Sequence, residues 1–198
     1  MAANALLIFI KNPEKGKVKT RLAKTLGDDQ ALKIYLALLA HTRKTVEVIE
    51  ADRYLYYSSF INKEDDWESR SFKKALQIEG DLGQKMGAAF KEVLAQHEKV
   101  LIIGSDCASL RPGIIEEAFA ALDQRDFVIG PALDGGYYLL GMKTFQPQIF
   151  QDINWSTAEV LPQTLEVIKD LEKTVYQLES LSDIDFEEDW EKYGWPLD

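Results

Sequence analysis

The sequence has almost none of the residues that disulfide scaffolds and cysteine–histidine metal sites require. Cys107 is the only cysteine among 198 residues, which excludes an intramolecular disulfide and is typical of a reducing compartment. The two histidines, His41 and His97, stand far apart and match no metal-ligand pattern. We therefore expect neither a disulfide framework nor a metal centre built on cysteine or histidine.

Positive charge and long apolar runs are also scarce. The formal net charge is −10 at pH 7, whereas nucleic-acid and anionic-membrane binders need clustered positive charge. The apolar run from Ala5 to Ile10 is too short for a signal-peptide core or a membrane span, and no basic segment precedes it. We expect a cytoplasmic protein that has no membrane span and binds no nucleic acid. The sequence leaves its oligomeric state open.

Three common ligand motifs are missing as well. Neither the P-loop Gly-x-x-x-x-Gly-Lys-Ser/Thr nor the dinucleotide-binding Gly-x-Gly-x-x-Gly occurs. The nucleophile elbow Gly-x-Ser-x-Gly is also absent. Any nucleotide site in this chain must therefore use a different arrangement of residues.

What the sequence does contain is a regular alternation of short apolar runs with segments of helical period. Because 46% of the residues are hydrophobic and no linker or repeat is visible, we expect a single domain over residues 1–198. Strands are predicted at positions 6–10, 53–58, 76–78, 100–103, 127–129, 136–141 and 174–178. Helices are predicted from a cap at Asp28 or Asp29, over 82–94, from Pro112, from a Ser156–Glu159 capping box to about Leu171, and from a cap at Asp185.

This alternation predicts the α/β class, with a three-layer α/β/α fold around a mostly parallel sheet. In open parallel sheets, ligands bind outside the carboxyl ends of the strands. The residues that directly follow the predicted strands are therefore the candidates for function, namely residues 11–21, 105–107 and 132–136.

The first of these segments concentrates positive charge on an acidic protein. It places five of the 23 basic residues within eleven positions: Lys11, Lys15, Lys17, Lys19 and Arg21. Lysine and arginine neutralise phosphate oxygens, and Gly16 lets the backbone approach a ligand closely. A solvated loop that only balances charge is the alternative interpretation. The position after the first strand favours a phosphate site.

Two aspartates, Asp106 and Asp134, also follow predicted strands. Because neighbouring parallel strands lie about 5 Å apart, we expect the two carboxylates to share one Mg²⁺ or Mn²⁺ that bridges a substrate diphosphate. Each aspartate alone could equally hold the backbone of a turn. Trp155 could stack on a substrate, although packing at the start of a helix would explain it as well.

Six segments, taken together, carry a family resemblance, and they run in the family's order over nearly the whole chain. They are Lys11-x-Pro13-x-x-Gly16-x-Val18-Lys19-Thr20-Arg21-Leu22, Gly80-Asp81-Leu82-Gly83, Gly104-Ser105-Asp106-Cys107, Gly130-Pro131-Ala132-x-Asp134-Gly135-Gly136-Tyr137-Tyr138, Trp155-Ser156-Thr157 and Leu181-x-Asp183-Ile184-Asp185. The chain resembles the small bacterial glycosyltransferase-like proteins with a GT-A, or nucleotide-diphospho-sugar transferase, fold. Its first segment is also similar to the basic loop of molybdenum-cofactor and phospholactate guanylyltransferases.

The resemblance implies a Rossmann-like GT-A fold and a nucleotide or nucleotide-sugar ligand. By this resemblance Asp106 would bind Mg²⁺ or Mn²⁺, and Asp134, Gly135 and Gly136 would line the acceptor or sugar side. In the leading hypothesis Asp134 is a second metal ligand or a general base toward an acceptor hydroxyl. The remaining implied substrate-binding residues are Lys11, Lys15, Gly16, Lys19, Arg21, Ser105, Gly135, Gly136 and Trp155.

The implied function is metal-assisted transfer from a nucleoside-diphosphate sugar, and two alternatives stay open. One is a guanylyltransferase-like nucleotidyltransferase that uses a nucleoside triphosphate. The other is a nucleotide-binding protein without catalysis, because the chain has Ala108 where the family usually has proline and lacks Asp-x-Asp. The sequence does not identify the nucleotide base, the sugar or the acceptor.

Overall fold

A seven-stranded mixed sheet forms the centre of the protein, which is described here over residues 3–197 from a computed structural model. The strands are β1 (Asn4–Ile10), β2 (Asp52–Tyr57), β3 (Lys73–Leu76), β4 (Lys99–Ile103), β5 (Phe127–Pro131), β6 (Tyr137–Met142) and β7 (Val175–Gln177). Their order in the sheet is β3-β2-β1-β4-β6-β5-β7. Only β6 runs antiparallel to its neighbours, β4 and β5.

Helices cover both faces of this sheet. They are α1 (Thr20–Glu47), α2 (Leu82–Leu94), α3 (Pro112–Gln124), α4 (Val160–Asp170) and α5 (Glu187–Tyr193), with a 3₁₀ turn at Pro147–Phe150. Buried side chains of α1 and α3 pack on one face, and those of α2 and α4 pack on the other. The predicted three-layer α/β/α fold with a mostly parallel sheet is thereby confirmed.

The apolar run of β1 shows why the chain folds this way. Successive side chains of a strand point to opposite faces, so a strand with helices on both sides must be apolar throughout. Leu6 and Ile8 pack with α1 and α3, whereas Leu7 packs with α2. All three are fully buried, and a polar residue at any of these positions would lack a hydrogen-bond partner.

Three predicted helix starts differ from the structure. Helix α1 begins at Thr20 rather than Asp28 and is kinked at Gly27, where φ is 80°, because the buried Leu22 anchors an additional first segment. The Ser156–Glu159 capping box is wrong, since Ser156 has a left-handed φ of 65° and α4 begins only at Val160.

The predicted cap at Asp185 is also displaced. The Asp189 carboxylate instead accepts hydrogen bonds from the backbone N–H groups of Asp185, at 3.0 Å, and Phe186, at 2.8 Å. The acidic segment therefore caps α5 from inside its first turn.

The position of β6 corrects one premise about the two strand-end aspartates. Asp106 follows β4 and Asp134 follows β5, but β6 lies between these strands. The ends of β4 and β5 are therefore about 10 Å apart, twice the spacing of neighbouring strands. The two aspartates do not follow neighbouring parallel strands.

Candidate active site

Two adjoining cavities open at the carboxyl ends of β1 and β4. The inner compartment has a volume of about 290 Å³ and the outer compartment about 730 Å³. Both are lined by Lys11, Tyr35, Leu82, Asp106, Tyr137 and Asp183, which makes them parts of one cleft. The cleft lies where ligands bind in sheets of this kind.

The inner compartment is mainly apolar. Its walls come from the ends of β1 and β4, the start of α2 and the strand β6, and they include Phe9, Ile10, Met86, Ile102 and Leu139. Polar groups are few, among them the Gln77 amide and Ser105. A cavity of this composition suits a flat or apolar ligand group held by a small number of hydrogen bonds.

The outer compartment is dominated by charged side chains. Its lining includes the cations Lys11, Lys19 and Arg21 and the carboxylates Asp106, Asp134, Asp183 and Asp185. Arg21 Nη1 lies 2.7 Å from Asp185 Oδ2, and its guanidinium also stands 5.8 Å from the centre of the Phe186 ring. The cations of this compartment suit an anionic ligand, and its carboxylates supply oxygen donors.

Lys19 is the most enclosed of these cations. Its Nζ lies 2.6 Å from Asp106 Oδ1 and donates a second hydrogen bond, 2.7 Å long, to the Ile184 carbonyl. The lysine side chain is only 4% exposed, whereas the side chain of Asp106 is 44% exposed. Lys19 also has a left-handed backbone, with φ 48°, which costs a non-glycine residue about 1–2 kcal/mol. The surrounding contacts must offset that strain.

Asp183 lies among the other carboxylates of the cleft. Burial, followed by repulsion from Asp106, raises the pKa of Asp183 from 3.8 to about 7, although Lys19 acts in the opposite direction. Asp134 and Asp185 add further repulsion and raise this pKa as well. A carboxyl group with such a pKa can hold or release a proton near neutral pH, as a general acid or base must.

Tyr35 fixes the entrance of the basic loop. Its hydroxyl accepts a hydrogen bond from the Lys11 backbone N–H and donates one to the Lys11 carbonyl, both 2.9 Å long. The Ser105 hydroxyl lies 3.4 Å from the same oxygen. Burial raises the pKa of Tyr35 well above its usual value, so the phenol stays neutral. The Tyr35 hydroxyl thus contacts both the Lys11 backbone and the Ser105 side chain where the two compartments meet.

The far wall of the outer compartment is formed by the β5–β6 turn and residues 154–160. Asp134 Oδ1 accepts a hydrogen bond of 2.9 Å from the Gly136 N–H. Trp155 lies across the first turn of α2, where a Cβ at Gly83 would come within 2.5 Å of its Nε1. Gly83 is therefore required for the indole to reach this position beside the cleft.

The structure brings most of the predicted site residues together in this cleft. Those that line the outer compartment are Lys11, Lys19, Arg21, Asp106, Asp134, Gly136 and Trp155, and Ser105 lines the inner one. Gly135 lies in the same turn as Asp134, with its φ of 93°.

Two predicted phosphate-binding residues lie outside the lining of both compartments. Lys15 instead forms an ion pair of 2.6 Å with Asp29 on the surface. Gly16 has a left-handed φ of 76° and faces the Asp28 side chain. Their positions reflect a turn that leads the chain into α1, and so they flank the cleft.

Sequence reasoning assigned no role to Asp183 or Tyr35. Asp183 stood in the motif Leu181-x-Asp183-Ile184-Asp185, but the acidic residues around it are equally typical of a helix N-terminus. Tyr35 occupied a helical apolar position, and only the fold reveals that its hydroxyl reaches Lys11. The β-bridge between Asp183 and Cys107 places Asp183 beside the turn at Asp106, and this position marks it as a site residue.

The carboxylates of the outer compartment offer the oxygen ligands that Mg²⁺ and Mn²⁺ prefer. Within residues 3–197, however, no group of three or more His, Cys, Asp or Glu side chains is arranged to hold a metal ion. Asp106 and Asp134 could therefore contribute one or two ligands each, and a bound cation would need further oxygens from a substrate. This donor set fits a metal that binds together with phosphates. Separately, no helix in the described part of the chain is long and apolar enough to cross a membrane.

Comparison with known proteins identifies relatives of this chain. A family model described as "Uncharacterized protein conserved in bacteria (DUF2064)" matches residues 39–157. A proposed nucleotide-diphospho-sugar transferase from Desulfovibrio desulfuricans G20 is 30% identical, with 94% of this chain and 84% of that chain aligned and a TM-score of 0.87. No protein in the curated set matches the sequence.

Two more distant structures share the fold. A CMP:2-keto-3-deoxy-manno-octonic acid synthetase in complex with CTP is 9% identical over 96% of both chains, with a TM-score of 0.58. The Rv0371c protein of Mycobacterium tuberculosis H37Rv in complex with manganese is 11% identical over 98% of both chains, with a TM-score of 0.52. The α/β fold seen here is thus that of nucleotide-diphospho-sugar transferases and related nucleotide enzymes.

Proposed function

The chain belongs to the bacterial DUF2064 family, and from that membership and the cleft we propose that it is a metal-assisted transferase acting on a nucleoside-diphosphate sugar. One observation carries the proposal: an apolar compartment adjoins a compartment of paired cations and carboxylates at the carboxyl ends of β1 and β4. A nucleoside-diphosphate sugar has a comparable division into a flat aromatic base and a charged diphosphate.

In this proposal the nucleoside occupies the inner compartment and the diphosphate lies in the outer one. Arg21 and Lys11 contact phosphate oxygens, for which guanidinium and ammonium groups are suited. Asp106, with Asp134 as a second ligand, holds Mg²⁺ or Mn²⁺, which offsets charge on the leaving diphosphate. The Mycobacterium tuberculosis protein of similar fold binds manganese, which is in keeping with a divalent metal in this proposal.

The acceptor enters from the side of the β5–β6 turn. Asp183, or Asp134 where it does not bind the metal, is the carboxylate that can accept a proton from its hydroxyl. Trp155, Gly135 and Gly136 shape this side of the cleft. Acceptor size and orientation are therefore set by residues 134–136 and 154–157.

A nucleotidyltransferase that uses a nucleoside triphosphate is the second candidate. It is favoured by the similar fold of the synthetase that binds CTP. The same cations and metal would serve it, because both reactions stabilise charge that develops on phosphate.

A thermal-shift panel of nucleoside diphosphates, triphosphates and nucleotide sugars, each with and without Mn²⁺, tests both candidates. A ligand at 100 times its Kd should stabilise the protein by about 2.7 kcal/mol. Release of a nucleoside diphosphate on adding an acceptor supports sugar transfer, and release of pyrophosphate supports nucleotidyl transfer. Saturable binding with no turnover of any pair would leave a nucleotide-binding protein without catalysis and refute both.

Substitution of the proposed metal ligand provides the matched test. Asp106→Asn should abolish the metal-dependent part of the thermal shift and the turnover. Asp123→Asn is the control, because Asp123 is an exposed carboxylate paired with Lys99 at the opposite end of the sheet. Full turnover in the Asp106→Asn protein would show that the metal assignment is wrong.

A further inference from the structure

Lys19 differs from the other basic residues of its loop in where its charge lies. The side chains of Lys15, Lys17 and Arg21 are 55%, 70% and 56% exposed, whereas that of Lys19 is 4% exposed. Exposed cations can turn toward an incoming phosphate at little cost. Lys19 cannot move without leaving two short contacts, so a different role must account for it.

Both contacts of Lys19 lead to the same corner of the cleft. Its ammonium bonds to Asp106 Oδ1 and to the Ile184 carbonyl. The Ile184 N–H in turn donates to the Asp106 carbonyl, at 2.8 Å. Lys19 therefore joins the start of α1, the turn after β4 and the C-terminal segment, and it fixes one oxygen of Asp106. The other oxygen of Asp106 belongs to a side chain that is 44% exposed and lines the cleft.

The charge of Lys19 is set against an excess of carboxylates. Asp106, Asp134, Asp183 and Asp185 all line the outer compartment, and Arg21 is paired with Asp185. A bare divalent cation would be drawn to such a cluster, but Lys19 repels it and occupies an Asp106 oxygen that it would use. Among the described residues, no group of three or more His, Cys, Asp or Glu side chains is arranged to hold the cation against this repulsion.

We propose that Lys19 is a positioning residue that acts through Asp106 as a built-in counter-ion and keeps bare divalent metal from loading the site. Metal then enters with the diphosphate, whose oxygens complete its coordination and whose negative charge offsets that of Lys19. The inference rests on the proposed function, since it concerns the metal and the diphosphate of the same cleft. It assigns Lys19 to the metal side of the site rather than to direct phosphate contact.

Binding of Mn²⁺ alone, without nucleotide, tests this role. Free Mn²⁺ measured by electron paramagnetic resonance during titration gives the affinity of the folded protein without any turnover. Lys19→Met should bind Mn²⁺ about tenfold more tightly than the unaltered protein, within the usual range of site-to-site coupling. Lys19→Gln, which removes the charge but can still donate to the Ile184 carbonyl, should show the same gain.

Two further variants separate this effect from general charge. Lys17 carries the same charge two residues before Lys19 but pairs with Glu14. Lys17→Met should therefore leave the Mn²⁺ affinity unchanged. Lys19→Arg retains the charge and should bind Mn²⁺ as the unaltered protein does. In an Asp106→Asn background, Lys19→Met should bring no gain, because the proposed effect acts through Asp106.

The inference and the proposed function fail on different results. Equal Mn²⁺ affinity in the unaltered protein, Lys19→Met and Lys19→Gln would overturn the inference even if nucleotide binding is observed. An equal gain in Lys17→Met or Lys19→Arg, or persistence of the gain without Asp106, would overturn it too. If circular dichroism shows that both neutral variants are unfolded, Lys19 serves the fold and the inference is also overturned. A gain in Mn²⁺ affinity together with no nucleotide binding would preserve the inference and refute the proposed function.

Discussion

The two ends of the sheet shift the pKa values of their carboxyl groups in opposite directions. At the amino end, Asp52 Oδ2 lies 3.0 Å from both His97 Nε2 and Lys73 Nζ, and these hydrogen bonds lower the pKa of Asp52. At the carboxyl end, burial and three neighbouring carboxylates raise the pKa of Asp183 to about 7. The amino end thus pairs its carboxylate with hydrogen-bond donors, whereas the carboxyl end keeps Asp183 buried among like charges.

The largest expected effect is on the pH dependence of the free energy of unfolding when the Asp183 carboxyl group is removed. Because the pKa of Asp183 is about 7 in the folded protein and near 4 in the unfolded chain, the folded state binds the additional proton. The free energy of unfolding should therefore fall as pH rises, by roughly 2–3 kcal/mol between pH 5 and pH 8 from this group. Asp183→Asn should lack that fall in urea titrations across this range.

Asp66→Asn is the control for this experiment, since Asp66 is an exposed loop carboxylate. It should keep the pH dependence of the unaltered protein. If Asp183→Asn kept the same fall of unfolding free energy with pH, then burial and charge repulsion would not raise the pKa of Asp183 as described.

At the amino end, the contribution of Asp52 to the free energy of unfolding should change with pH in the opposite direction. Asp52→Asn leaves the fully buried His97 side chain without its carboxylate partner, and we expect a loss of about 2 kcal/mol at pH 7. Because the folded pKa of Asp52 is lowered, its stabilisation is present above about pH 4, the unfolded value, and is lost as pH falls through the folded value.

Urea titrations at pH 7 and at pH 3 measure this difference. The gap between Asp52→Asn and the unaltered protein should narrow at the lower pH. A gap that stayed constant, or that widened on acidification, would contradict the assignment of Asp52 as a stabilising carboxylate.

The smallest expected effect compares one ion pair from each end. Arg21–Asp185 and Lys73–Asp52 have similar exposure, with side chains 56% and 34% exposed in the first pair and 52% and 27% in the second. Arg21→Met should weaken binding of a nucleoside diphosphate about tenfold, or about 1.4 kcal/mol, because the proposed phosphate contact would be lost.

Lys73→Met should leave that affinity unchanged, as measured by calorimetry with the diphosphate identified in the thermal-shift panel. If both variants weaken binding equally, the effect is one of overall charge and the two ends do not differ in ligand contact.

The sheet could be predicted from sequence only in part. Runs such as that of β1 and β4 are apolar on both faces, so their identity as buried strands follows from local composition. The order of strands does not, because β6 enters between β4 and β5 through contacts between distant residues. Asp106 and Asp134 both line the outer compartment of the cleft. The premise that their strands are neighbours was nevertheless wrong, because β6 lies between them.

The candidate site shows the same limit. The loop from Lys11 to Arg21 was marked by its charge density, but all its lysines looked alike in sequence. Burial separates Lys19 from Lys15, and burial is a property of the packed C-terminal segment rather than of the loop. Asp183 escaped notice for a similar reason, since its pKa is raised first by burial and then by Asp106, which is distant in sequence.

One contact on the proposed acceptor side constrains how this cleft can vary. Gly135 has a φ of 93°, a Cβ there would come within 2.4 Å of the Ala158 carbonyl oxygen, and the Leu161 N–H donates a hydrogen bond of 2.9 Å to the Gly135 carbonyl. The turn that carries Asp134 and the segment before α4 are consequently clamped to each other. Substitutions that probe the proposed acceptor side should begin with the exposed residues Ser156 and Thr157 rather than with the turn, because shifting either wall alone would break the clamp.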